Sequence, residues 1–260
     1  MNKDFRIFYL AFVLVIFSMC TTIPKSSVSS TIETCEDLLV AMNKKYKGKW
    51  FDQFTFIQET IRINENGKEG KKSIWYEAID YPKKFRIDYG PITNGNTTIY
   101  DKDSAWVFRD YKLKKTEYMP KEFLLMKGGL YHLTTKETIE ALSGYGYDCD
   151  KFRTAELNQR KVYVIGADRG DLKSKQFWID AEHFYMVRRI NTQQGKVVDV
   201  VYSDHVFSNG GWVEQVVKFW VDEKYVQKEL YKEINTNPQL GAEQFDPNSY
   251  GEIKHWSEQD

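Results

Sequence analysis

Short alternating segments, separated by turn residues, run through most of this chain and restrict its folds to antiparallel sheet. The stretch YPKKFRIDYGP, residues 81–91, sets the pattern: Phe85, Ile87 and Tyr89 fall on one face of a strand, and Arg86 and Asp88 on the other. WFDQFTFIQETIRI and KSIWYEAI form a similar pair around Asn66-Gly67, a dipeptide suited to the positive φ of a hairpin turn. KVYVIGAD, KQFWID, GKVVDVVYSDHVF and WVEQVVKFWVD continue the series in the second half, and KELYKEINTNP closes it. Short links between successive strands make the sheet antiparallel.

Many of these strands are apolar on both faces. Trp212, Val216 and Trp220 oppose Val213, Val217, Phe219 and Val221; Phe177 and Ile179 oppose Trp178; Trp106 and Phe108 oppose Val107. An ordinary exposed antiparallel sheet has one wet face. Here one face can be filled by neighbouring strands and helices, and the other needs a second cover: another sheet, a partner, or a hydrophobic ligand. Aromatic residues make up 15% of the chain, more apolar surface than two short helices can cover, which points to a cavity.

Helical periodicity occurs in three places. SSTIETCEDLLVAMNKKY repeats Ile32, Cys35, Leu38, Leu39 and Met42 on one face, with Ser30 or Thr31 as the expected cap. KEFLLMKGGLYHL and TTKETIEALSGYGYD form two short helices between the β regions, broken at Gly128-Gly129, with Thr134 or Thr135 and Glu137 as a capping box. The expected fold is mainly β (α+β): one domain over residues 31–260, a single curved antiparallel sheet with helices against it.

The N-terminus reads as an address. Lys3 and Arg6 precede the apolar run IFYLAFVLVIF, too short to span a membrane but matched to a secretory signal over residues 1–20. Cys20 follows it and stands where a lipidated cysteine would stand, with a Ser-rich linker over 21–30; ordinary cleavage nearby would instead leave a soluble protein. In an exported compartment Cys35 and Cys149 are free to pair, or they remain buried thiols.

Chemistry is sparse. Charges cancel at 37 against 37 without a basic stripe, so nucleic acid is not an expected partner. His132, His183, His205 and His255 lack metal-site spacing, and Ser143 lacks the glycine of a nucleophile elbow. Glu59, Glu77 and Asp88 either meet across strands as paired carboxylates or, the reading adopted, sit solvated at the rim. A secreted hydrolase would need Ser, His and acid side chains to converge from distant positions. No catalytic residue, metal or cofactor is expected.

The order of pieces resembles the LolA/LolB-like lipoprotein-sorting family of Gram-negative bacteria over roughly residues 31–250. FTFIQETI resembles that family's first strand. SIWYEAIDYPKKFRIDY is similar to its L-W-x-x-x-P-x-x-F strand pair, and TTIYDKDSAWVFRD to its D-G-K-x-x-W-x-Y segment. The closing NTNPQLGAEQFDP resembles its terminal L-x-x-x-x-F. The resemblance implies a half-open barrel with helices as a lid and a cavity for acyl chains. In it Phe85 and Ile87 match cavity-facing positions and Arg86 points outward. Phe56, Trp75 and Trp106 match other aromatic positions, and Phe108 completes the expected lining, with a lid near residues 124–133. The family's arginine before the proline is replaced by Tyr81, and its Asp-Gly turn by Lys102-Asp103. The implied function is an exported, non-enzymatic protein that binds lipoprotein acyl chains or other lipid, in the periplasm or anchored to the outer membrane on its periplasmic side. The alternative is an envelope interaction module that packs its aromatic face on a partner protein without a lipid ligand.

Overall fold

Strands of this aromatic, β-branched composition pair in the order in which they leave the turns. The computed structural model describes residues 31–101, 103–119 and 122–258. The leader over 1–20 with Cys20, the linker over 21–30 and Lys102 lie outside the described residues.

The chain opens with helix α1 (Cys35–Tyr46). Six strands follow: β1 (Gln53–Ile63), β2 (Glu69–Asp80), β3 (Lys84–Tyr89), β4 (Thr97–Asp101), β5 (Ser104–Arg109) and β6 (Lys112–Tyr118). Helices α2 (Glu122–Met126) and α3 (Thr135–Gly144) interrupt the sheet. The second half contains β7 (Phe152–Leu157), β8 (Arg160–Ile165), β9 (Gln176–Asp180), β10 (Met186–Gln193) and β11 (Lys196–Ser203). After a small separate hairpin, β12 (Val206–Ser208) and β13 (Gly211–Val213), come β14 (Val216–Val221) and β15 (Lys224–Asn235).

Thirteen strands form one sheet, ordered β6-β5-β4-β3-β2-β1-β15-β14-β11-β10-β9-β8-β7. It consists of two meanders joined where the first strand meets the last, and it does not close. β6, KLKKTEY, is one free edge; its lysines and near-complete exposure discourage pairing with another chain. Register shifts interrupt the β1·β15, β9·β10, β14·β15 and β5·β6 ladders. Bulges of this kind bend a strand and increase its twist, which lets so wide a sheet wrap around a core.

α1 begins one turn later than its apolar periodicity suggests. Thr34, rather than Ser30 or Thr31, is its N-cap, and Asp37 answers in a reciprocal capping box. In α3 the box is Thr134 with Glu137, as its spacing predicts. All three helices lie on one face of the sheet, here called inner. Leu38, Leu39, Met42, Leu124, Leu125 and Leu142 pack there against Phe54, Phe56, Ile79, Phe85, Phe177 and Ile179 in one cluster.

The outer face of the first half is covered, and not by a second sheet, while in the second half Val162, Val164 and Trp178 form a smaller buried cluster on that face. The segment after β15 returns across β3 and β4. Its residues Gln244, Tyr250 and His255 enclose Arg86 and Asp88, each only 3% exposed. The outward direction expected for Arg86 is correct in register, but the side chain does not reach water. It makes two hydrogen bonds to Asp88, of 2.8 and 3.0 Å, and others to the backbone and side chain of Gln244. Burial opposes ionisation of Asp88, yet hydrogen bonds from His255 and Arg86 hold its carboxyl below the ordinary range.

Candidate ligand site

Directly paired residues of an antiparallel ladder share a face, so the register assigns every lining candidate. Phe56 pairs with Glu77, Gln58 with Trp75, Glu77 with Ile87 and Ile79 with Phe85. Phe56, Trp75, Phe85 and Ile87 therefore stand together on the inner face. Phe56, Phe85 and Ile87 are buried in the core, and Trp75 packs at its margin, edge-on to Tyr89 at 5.2 Å. Trp106 and Phe108 do not join them. In β5 the inner row is Ala105 and Val107, opposite Tyr100 and Thr98, while Trp106 opposes Ile99 and Phe108 opposes Thr97 on the outer face. Phe108 is covered there by Tyr250, ring to ring at 4.5 Å. Both rows of β5 are apolar, so alternation alone did not say which faces inward, and the match of Trp106 to the resembling motif pointed to the other row.

The cover over the inner row is held mostly by rings and a few polar ties. Phe123 of α2 sits edge-on to Phe85 at 4.8 Å. Trp50 stacks on Tyr131 at 3.7 Å. Tyr131 Oη donates to the Phe184 carbonyl (2.7 Å), and Asn43 Nδ2 donates to the Leu133 carbonyl (2.7 Å), tying α1 to the stretch after α2. Tyr81, at the position of the family's arginine, donates its hydroxyl to the Lys127 carbonyl at 2.9 Å and so fastens the end of α2 to the β2–β3 turn. Burial pushes the Tyr81 hydroxyl far up, so it remains a donor. Gly128 follows at φ 143°, and a Cβ there would lie 2.8 Å from the Tyr81 hydroxyl oxygen; only glycine allows this close approach. Beneath this cover a space of about 20 Å³ remains, bordered by Trp50, Met126, Lys127, Tyr202 and Trp212. That is room for about one water molecule. At that place the helices leave no room for an acyl chain in this structure.

A polar group lies in the middle of that face. Glu77 shares the row of Trp75 and Ile79, and Glu229 that of Tyr231. Both acids are buried, and so the rim position expected for Glu77 does not hold. Glu59 and Asp88 belong to the outer face, where Glu59 pairs with Lys72 and Lys232, and these three acids never meet. Desolvation, opposed by Lys127, raises the carboxyl of Glu77 to about 8 and that of Glu229 to about 7. Lys127 reaches down from the end of α2. Its ammonium donates to Tyr231 Oη at 2.7 Å, lies 3.4 Å from Glu214, and stands over the rings of Phe56 and Tyr231 at 4.7 and 4.3 Å. Sequence reasoning missed Lys127, Glu214 and Glu229. The readable signal was an acid inside an apolar row, Trp75-x-Glu77-x-Ile79.

Two other places carry a cleft or a polar cluster. An open cleft of about 650 Å³ lies on the outer face of β10, β11 and β14, floored by Ile190, Val197, Val201 and Trp220 beside the Arg188–Asp199 ion pair. Ser257, His255 and Asp88 do converge: His255 Nδ1 lies 2.8 Å from Ser257 Oγ, and Nε2 lies 3.0 Å from Asp88. That Nδ1 already accepts the Ser257 backbone N–H at 3.1 Å, and Asp88 is engaged by Arg86. The row clasps the returning C-terminal segment to the sheet. Among the described residues no group of three His, Cys, Asp or Glu side chains could hold a metal ion, and no helix is long and apolar enough to cross a membrane. The sulfurs of Cys35 and Cys149 lie 2.7 Å apart, joining the start of α1 to the segment after α3.

No family model and no curated protein matches the sequence. The fold does match solved structures. A LolA-superfamily protein from Nitrosomonas europaea superposes with a TM-score of 0.55 at 12% identity, over 82% of this chain and 98% of the other. A domain assigned to outer-membrane lipoprotein sorting in Vibrio parahaemolyticus gives 0.56 at 11% identity, over 82% and 96%. A DUF1329-family protein from Desulfovibrio piger gives 0.54 at 13%, over 83% and 97%. The architecture is an unclosed antiparallel sheet with helices laid across one face. In this chain it has the fold of the LolA-superfamily and lipoprotein-sorting domains, as the sequence motifs implied.

Proposed function

We propose that this chain is an exported binding protein of the cell envelope that takes up acyl chains, of a lipoprotein or another lipid, on its inner face. It acts without covalent chemistry, as a carrier or as a receptor anchored on the periplasmic side of the outer membrane. One observation carries the reading: the aromatic floor of Phe56, Phe85 and Ile87 is covered by short helices rather than by a second sheet. Short helices on few polar ties can move as a unit, whereas sheet-on-sheet packing cannot be undone locally.

The structure is then the closed state. Opening lifts the 123–133 segment away from Phe85 and breaks the Tyr81–Lys127 hydrogen bond. An acyl chain replaces the helices' side chains, so apolar area uncovered in one step is covered again in the next, at ~25 cal/mol per Å². Uptake is reversible for that reason. The direct test is a Phe85→Glu variant with a fluorescent fatty-acyl probe. Binding should fall at least tenfold while export is unchanged, since a carboxylate on the floor has no partner. Undiminished binding would remove Phe85, and the inner face with it, from the reading.

The outer cleft favours a second reading, an interaction module in which a partner protein covers Trp220, Val197 and Val201. A Trp220→Glu variant that loses a copurifying protein while retaining lipid binding would support it.

A further inference from the structure

The acyl-chain reading leaves the acids of the inner face unused. Glu77, Glu229 and Glu214 converge in what would otherwise be an oily floor. Glu77 is 4% exposed and stands on the inner row between Trp75 and Ile79, opposite Phe56. Burying a carboxyl among rings costs desolvation, and an apolar side chain would serve a purely aliphatic ligand better. The surroundings already show what these acids accommodate. The Lys127 ammonium stands over the faces of Phe56 and Tyr231, at 4.7 and 4.3 Å, and within 3.4 Å of Glu214. Its positive charge also draws both Glu77 and Glu229 toward ionisation. Aromatic faces combined with carboxylates form a cage for an organic cation.

Lys127 belongs to the cover, directly after α2 and before Gly128-Gly129. When the cover lifts, its ammonium leaves and the cage remains on the sheet, since Phe56, Glu77, Glu229 and Tyr231 all belong to β1, β2 and β15. We infer that this cage is a headgroup site for an amphipathic cation, an alkyl primary amine or quaternary ammonium, and that Lys127 occupies it as an internal stand-in in the closed state. A cationic headgroup restores the positive charge that draws these carboxyls toward ionisation, an anionic one opposes it, and a neutral one would gain only a hydrogen bond. The inference rests on the inner face being the ligand site.

The test compares three probes of equal chain length on the full chain at pH 7, below their micellar concentrations: dodecyltrimethylammonium, dodecanoate and dodecyl maltoside. Binding is read by calorimetry, with near-UV circular dichroism to establish that the fold persists. The cation should bind about tenfold more tightly than the neutral probe, the scale of a desolvated cation–π and charge contact. Glu77→Gln/Glu229→Gln should abolish that preference and leave dodecyl maltoside binding intact. Lys127→Met should tighten the cation, because its competitor is gone. Equal affinity for cation and neutral probe would overturn the headgroup site while leaving the acyl reading standing. So would a preference that survives the double substitution, or a cation affinity unchanged in Lys127→Met. Failure of all three probes to bind would overturn the acyl reading and the cage together.

Discussion

Replacing Glu77 by Gln should stabilise the protein, and increasingly so as the pH rises. The carboxyl is buried on the inner face and raised from an ordinary 4.5 to about 8. The folded state therefore holds a proton that the unfolded chain releases above about pH 4.5. Where the folded state binds more protons, stability falls as pH increases. The fall begins near the unfolded value of about 4.5 and is complete above about 8. At ~1.36 kcal/mol for each tenfold change in proton affinity, its ceiling is about 5 kcal/mol. Gln keeps the shape and has no proton to lose, so it abolishes this contribution. Thermal unfolding of parent and variant at pH 4.5 and 8.5 measures the effect. The midpoints should be close at pH 4.5. At pH 8.5 the variant should unfold on the order of 10 °C higher, given ~2–4 °C per kcal/mol for a chain of this size. Glu229, raised to about 7, titrates beside it and leaves some pH dependence in the single variant. A gap that does not change with pH, or a variant less stable at pH 8.5, would refute the burial of an ionisable Glu77.

Four further outcomes follow from other contacts. Asp88→Asn should destabilise by about 3–5 kcal/mol, since it leaves the Arg86 guanidinium buried without its partner; urea unfolding measures this. Asp88's lowered carboxyl also means that its stabilisation is present above about pH 4 and is lost as pH falls through the folded value. Air-oxidised protein should carry a Cys35–Cys149 disulfide, seen as a 2-hydrogen loss in intact mass, and reduction should lower the unfolding midpoint, as opening a cross-link over a loop this long costs ~4 kcal/mol. Tyr81→Phe removes one tie on the cover at a cost of about 1 kcal/mol, and should speed hydrogen exchange of the 123–131 amides more than that of β1.

The strands and helices were legible because alternation and capping are local. FTFIQETI and TTKETIEALSG declare their elements within a few residues. That Phe56, Trp75, Phe85 and Ile87 share the inner face came instead from the resembling motifs, while the breaks at Asn66-Gly67 and Gly128-Gly129 were legible from local turn chemistry. What lies over each face is not local. Arg86 and Asp88 read as solvated charges until residues 244–255, more than 150 positions later, close over them. Trp106 reads as lining because it matches an aromatic position of the resembling segment, and Phe108 shares its row, although the register turns both outward. Lys127 reads as an ordinary surface lysine; its place over Phe56 depends on where α2 docks.

The central claim is that the inner face opens to receive an acyl chain. A fatty-acyl probe with a diazirine at its tail, irradiated on the full chain and mapped by peptide mass spectrometry, tests it most directly. Adducts on the peptides of β1 and β3, at Phe56, Phe85 or Ile87, are the expected result. Adducts confined to the outer cleft around Val197 and Trp220, or none at all, would contradict it.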